Sequence, residues 1–377
     1  MKKNANKEFE METSKNNLDE VAIYVSLKSA IQSFFNTCQA LSFVTTRPLD
    51  FKKISQITFC DIPEYQSSCF SSITHFQHFF ELIIKDVLNR IDPLLVVKFD
   101  DVGVEELYCR LKGLDNPKSE KIQWITFRDA LDRLKNIKEV ILDDFEAKEI
   151  SLLLDNKDVL GELNRFRNGV WHKGVSFLNY AALDKFVGSK ILPLVVKLFE
   201  TLNYSGKKYL WYYKHLGCGL DPIKEIIDEF ADNKNIDFEK VALLKELGRA
   251  AYHNPLVMGN DKICGEKEYC LYTSLLGKVN RDKIEVGLAK TKALCKTFDF
   301  FETYKCPVCG LKTLVRFVEN ECGDVEDENG LSYQYQKIVP FKIECQTCSF
   351  RIDPNIKNLS IISLDGNEIW KTEEGGD

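Results

Sequence analysis

Several things are missing from this chain, and each absence narrows what it can be. None of its 377 residues falls in an apolar run long enough to cross a bilayer: the longest candidates, around Leu94–Val97 and Ile191–Phe199, are short and interrupted. The start, Met1 to Asn17, is polar and lacks the apolar core of a secretory signal. A cytoplasmic protein with no membrane partner is therefore expected. Positive charge is not in excess either. A net charge of −6 excludes a protein held on nucleic acid mainly by bulk charge, while leaving room for a local basic groove. An even cysteine framework is also absent. There are 13 cysteines, four of them in two C-x-x-C pairs and the rest scattered, a pattern that favours metal binding over disulfides.

What is present is ordinary for a globular protein: 44% hydrophobic and 29% charged residues, in a chain long enough for two or three domains. Residues 1–19 read as disordered. Residues 20–67 read as a helix to about 44, then a connector with a strand at Ile54–Phe59. From 68 to 203 the apolar spacing predicts a helical bundle. Its first helix, Ser71–Ile91, places Phe76, Phe80, Ile83, Val87 and Ile91 on one face. Phe127–Ile137 follows, with Thr126 as N-cap and Asp129 at the positive end of the helix dipole. A third helix is expected from about Asp155 to Trp171, and a fourth over Ala182–Leu202 with a kink at Pro193. Residues 204–300 read as helical over Pro222–Phe230, Phe238–Tyr252 and Lys283–Tyr304, with no motif that assigns a role. Residues 301–370 change to short alternating pieces with an acidic loop at Glu319–Asn329, a small β-rich module.

The segment with most chemistry is Arg165-Phe166-Arg167-Asn168-Gly169-Val170-Trp171-His172-Lys173-Gly174. A nuclease that uses no metal must orient or activate a ribose 2′-OH and stabilise the charge that builds on phosphate. A histidine moves protons near neutral pH. An arginine presents a permanent cation with a fork of donors matched to phosphate oxygens. An asparagine fixes a hydroxyl or phosphate oxygen by hydrogen bonding. On a helix turning about 100° per residue, Asn168 and His172 stand roughly 40° apart, opposite the Leu163/Phe166 stripe. Arg167 must reach round from the side, so a groove shared with a second helix or subunit would help.

Arg167-Asn168 followed by His172 resembles the R-x4–6-H motif of the HEPN superfamily. The helix carrying His75-Phe76-Gln77-His78-Phe79-Phe80-Glu81-Leu82-Ile83-Ile84-Lys85 is similar to that family's opening helix, with its Glu81-x-x-x-Lys85 pair. The resemblance covers roughly residues 68–203. It implies an all-α bundle that forms a homodimer and brings two Arg-His motifs to one cleft. It also implies an endoribonuclease that needs no metal for catalysis, leaves a 2′,3′-cyclic phosphate, and serves antiviral (antiphage) defence or a toxin-like system with a protein partner or antitoxin. On that pattern Arg167 holds the scissile phosphate of the RNA substrate, His172 orients the 2′-OH or exchanges protons, and Asn168 positions both. Gly174 stands where one subgroup has a tyrosine two residues after the histidine, so regulation through that tyrosine is not implied.

Blander readings stand beside these. Glu81 and Lys85 form an ordinary i,i+4 helix pair as readily as a supporting element of the cleft. His75 and His78 suit packing or surface positions. Arg249 and His253 make a second Arg-His pair, but three intervening residues fall short of the motif, and Pro255 marks a helix end. A non-catalytic HEPN scaffold that binds a protein partner or nucleic acid remains the alternative to the enzyme.

The cysteine pairs carry the strongest spacing signal. Cys306-Pro-Val-Cys309-Gly310 and Cys345-Gln-Thr-Cys348 are two knuckles able to complete a tetrahedral Cys₄ site, with strands expected at Thr313–Val318 and Ile338–Glu344. The pattern resembles a zinc ribbon. Four thiolates leave no position for water, so the expected Zn²⁺ is structural. The expected fold class is mainly α: a HEPN-like helical bundle, further helices, and a small C-terminal β-rich zinc ribbon.

Overall fold

The computed structural model describes residues 18–44, 49–98, 108–109, 112, 114, 124–140, 144–173, 177–201, 203–213, 216–231, 235–256, 266–297, 302–326 and 332–374. The segment read as a disordered N-terminus lies almost wholly outside these residues. The protein is mainly helical, with a small antiparallel sheet at its C-terminal end. It divides into two compact units, one of Met1–Ser29 with Thr74–Arg165 and one of Ala30–Ile73 with Phe166–Asp377.

The first unit holds the start of α1 (Leu18–Asn36), most of α2 (Pro63–Ile91), α3 (Phe127–Ile137), α4 (Asp144–Asp155) and the beginning of α5 (Lys157–Lys173). Helix α2 begins eight residues before the Ser71 expected from the sequence. Pro63 opens it, where no amide donor is needed and the fixed φ suits a first turn. Helix α3 has the predicted bounds, and its start is a capping box: the Asp129 amide donates to Thr126 Oγ1 at 3.3 Å, and the Thr126 amide donates to Asp129 Oδ2 at 3.2 Å. The helix expected over Asp155–Trp171 is α5, two residues offset, and α4 precedes it as a helix the sequence pattern does not announce. Asn156 separates the two, turning its side-chain amide onto the Leu152 carbonyl at 2.9 Å while its own carbonyl accepts the Leu160 amide at 3.0 Å. Arg90 reaches from α2 to the buried carboxylate of Glu149 on α4.

In the second unit, Phe51–Gln56 is a 3₁₀ turn rather than part of a strand. Asp50 accepts the Lys52 amide at 3.1 Å, and Ile54 is buried between exposed Lys52, Lys53 and Ser55, so two-residue alternation is missing. The helix expected over Ala182–Leu202 is α6 (Tyr180–Phe186), a π turn (Val187–Ile191) and α7 (Leu192–Glu200). Pro193 supplies no amide to the turn before it, and the π turn absorbs the mismatch. Helices α8 (Pro222–Ala231) and α9 (Phe238–Tyr252) follow the prediction closely, and every residue of α9 from Val241 to Gly248 is buried. Helix α10 runs over Glu266–Thr297, and Tyr304, expected at its end, lies in a strand instead.

The sheet consists of β1 (Thr303–Tyr304), β2 (Leu314–Glu326), β3 (Ser332–Cys345), β4 (Arg351–Ile352) and β5 (Glu373–Glu374), in the order β1-β2-β3-β4 with β5 on β3. Strands β2 and β3 pair from Leu314↔Cys345 to Glu326↔Ser332, with a shift between Phe317 and Val318. Glu319–Glu326, read as an acidic loop, is therefore strand. Glu321 faces Lys337 across the hairpin, an opposite-charge pair that favours the ladder.

Candidate metal centre and candidate catalytic helix

The two C-x-x-C turns meet where β2 leaves and β3 returns. Gly310 takes φ +75°, and its amide donates to the Cys306 carbonyl at 2.9 Å, closing the first turn in a conformation glycine adopts freely. The Cys345 amide donates to the Phe350 carbonyl at 2.9 Å and so closes the second. All four cysteines are buried and their sulfurs lie within 4.8 Å of one another. Cys306 Sγ is 3.5 Å from Cys348 Sγ, and Cys309 Sγ is 3.6 Å from Cys345 Sγ. Tetrahedral thiolates bound at about 2.3 Å would sit about 3.8 Å apart, so the set fits one ion. The Cys345 sulfur also faces Thr313 Oγ1 at 3.3 Å and the amides of Thr347 and Cys348 at 3.4 Å each. Donors around it, above all the Cys306 thiol, hold Cys345 below the ordinary thiol range, whereas burial pushes Cys306 up. The cluster can hold a structural metal ion.

Both knuckles are packed against other parts of the second unit. The Gly217 and Cys218 amides donate to the carbonyls of Val308 and Pro307 at 2.9 and 2.8 Å. A Cβ on Gly217 would come within 2.8 Å of the Gly310 amide nitrogen, so this approach requires glycine. On the other side, Arg249 of α9 donates to the backbone carbonyl of Ser349, next to the ligand Cys348. Its guanidinium is held by two bonds of 2.7 Å to Glu246. The buried Glu246 carboxylate accepts the Arg351 amide at 2.7 Å, and Glu239 accepts the amides of Lys357 and Asn358 at 2.6 and 2.7 Å. The sequence singles out Arg249 only as half of an Arg-His pair. Its observed partners are Glu246 and Ser349, and His253 occupies the C-cap of α9. Thr313 and Gly217 carry no sequence signal of their own; their importance arises from contacts between distant segments.

Arg167, Asn168 and His172 lie on α5, which continues unbroken to Lys173. Arg167 and Asn168 are half-buried, and Arg167 Nη1 donates to Asn168 Oδ1 at 3.0 Å. The apolar side of this helix is anchored by Phe166, whose ring stands edge-on to Phe186 at 5.1 Å. His172 follows Asn168 by four residues on the same helix, while its side chain lies outside the described residues. Glu81 and Lys85 belong to the first unit, and Arg167, Asn168 and His172 to the second. Lys85 Nζ donates to Glu81 Oε1 at 2.6 Å and Gln77 Nε2 to Glu81 Oε2 at 3.0 Å, an ordered ladder along α2. His78 Nδ1 is 2.8 Å from Ser26 Oγ, consistent with a packing role.

Among the described residues no helix is long and apolar enough to cross a membrane. Comparison with protein-family models, with curated proteins and with solved structures finds no match to the chain.

Proposed function

We propose that this protein is a HEPN-type endoribonuclease whose cysteine centre carries a structural Zn²⁺. The observation that supports the cleavage reading is the pairing of Arg167 with Asn168 on a helix that continues through His172. The Asn168 carbonyl accepts from the guanidinium and orients it, and the fork of donors on an arginine matches phosphate oxygens. One turn on, His172 supplies an imidazole, able to take up or give a proton in work at the 2′-OH. The RNA 2′-OH gives up its proton as its oxygen attacks the adjacent phosphorus, the P–O5′ bond breaks, a proton is returned to the leaving 5′-oxygen, and a 2′,3′-cyclic phosphate remains. Two chains would place two such helices in one cleft, so the active species is a homodimer, in a defence or toxin-like setting. Arg167→Ala and His172→Ala, checked for folding, should each slow cutting of cellular RNA by about 10²–10⁴-fold. Equal cutting by all three forms would remove these residues from the site.

One observation favours a second reading, a non-catalytic scaffold. Arg167 is half-buried with its guanidinium already engaged by Asn168, as a structural arginine would be. A purified dimer that captures a protein partner and cuts no RNA would support the scaffold.

Zinc is the ion of choice for the centre because four thiolates at these separations match its tetrahedral preference. Its role is to hold the ribbon closed. The carbonyls of Pro307, Val308 and Ser349 at both knuckles are already occupied from within the chain, which supports an internal clamp over a free-standing nucleic-acid finger.

A further inference from the structure

In the first unit, a cavity of about 220 Å³ is lined by Leu82, Lys85, Asp86, Asn89, Val96 and Trp124. Nothing proposed above uses it. Four of these residues come from one face of α2, at spacings of three and four. The opposite wall is fixed by backbone. Trp124 bridges Val97, the Ile125 amide donates to the Val96 carbonyl at 3.1 Å, and Arg133 Nη1 ties the Leu95 and Val97 carbonyls at 2.8 and 2.9 Å. The volume is below the range of about 300–1,000 Å³ usual for drug-sized ligands, which suits one planar ring system, mono- or bicyclic.

Trp124 is 60% exposed, whereas Trp211 is 1% exposed. A large indole face held open to water beside an apolar recess is the arrangement on which single-stranded nucleic-acid binders stack bases. Both cations at the mouth are engaged by carboxylates. Lys85 meets Glu81 at 2.6 Å, and Arg90 meets Asp86 at 3.2 Å and also reaches Glu149. A bare phosphate is therefore disfavoured here, and the apolar recess beside the indole suits a ring. Asn89, exposed on the same face, offers both a donor and an acceptor, the combination that reads a base edge. We propose that this pocket takes an unpaired nucleobase, stacked on Trp124 and read at its edge by Asn89. The inference goes beyond the cleavage reading, since a base can bind here whether or not the α5 residues cut RNA.

Calorimetric titration of the full-length protein with AMP, ribose 5-phosphate, a short oligoadenylate and tetramethylammonium tests it. AMP and oligoadenylate should bind and ribose 5-phosphate should not. Tighter binding of the oligomer would identify RNA as the source of the base, and equal binding a free nucleotide. Trp124→Ala should weaken AMP at least about tenfold, the scale of a lost base stack, with most of the loss restored in Trp124→Phe. Asn89→Ala should change the preference between AMP and UMP. Arg167→Ala should leave AMP binding unchanged, which separates this pocket from the cleavage site. Failure of every base-bearing probe to bind the parent, undiminished AMP binding in folded Trp124→Ala, or binding of tetramethylammonium in place of AMP would each overturn the proposal.

Discussion

Lys245 donates to Asp184 at 2.7 Å with both side chains wholly shut from water. Its ammonium also lies 3.9 Å from the centre of the Tyr180 ring. Burial holds the Asp184 carboxyl above its ordinary range and Lys245 pulls it back. The pair joins α6 to α9, the helix on which the ribbon docks. Removing one partner leaves the other charge buried and unmatched. Asp184→Ala should therefore cost about 3–5 kcal/mol in urea unfolding. The double replacement Asp184→Leu with Lys245→Met should cost much less than the two single changes together. Additive losses would mean that the charges are not coupled.

Metal removal should loosen more than the ribbon. The Cys₄ centre is tied to Gly217–Cys218 on one side and to Glu246 and Arg249 on the other. Chelation followed by hydrogen exchange should raise amide exchange at Gly217, Cys218, Arg351 and the buried face of α9, and one equivalent of Zn²⁺ should reverse it. Because thiols must lose their protons to bind metal, affinity should fall as the pH is lowered. Exchange confined to residues 303–352 would make the ribbon an independent module.

The docking contacts can be broken without touching a ligand. Gly217→Ala forces a Cβ to within 2.8 Å of the Gly310 amide nitrogen, and Arg249→Ala removes the donor to Ser349 while leaving the buried Glu246 short of a cation. Each should cost about 1–3 kcal/mol in chemical denaturation, while mass spectrometry still finds one metal per chain. Loss of the metal in either variant would place these residues in the metal site itself.

The features legible in the sequence were those set by neighbouring residues. Thr126 and Asp129 announced α3 because a capping box is local, and the two C-x-x-C turns announced the metal cluster for the same reason. What escaped depended on competition or distance. Helix α4 escapes, and it ends where Asn156 turns its amide onto the Leu152 carbonyl; Pro193 is accommodated by a π turn that its own position does not specify. Glu319–Glu326 carries too many acids to read as strand until Glu321 is set against Lys337. Gly217 and Arg249 owe their roles to Gly310 and Ser349, far away along the chain.

Metal-independent cutting by 2′-OH attack is tested most directly with a short single-stranded RNA and its all-deoxy counterpart. Both are incubated briefly with the purified protein in EDTA, with bound zinc followed in parallel because EDTA strips a thiolate centre with time. The expected result is cleavage of the RNA alone, with 2′,3′-cyclic phosphate ends, at a rate unchanged while zinc stays bound. Cleavage of the deoxy strand, or ends bearing 5′-phosphate, would contradict it.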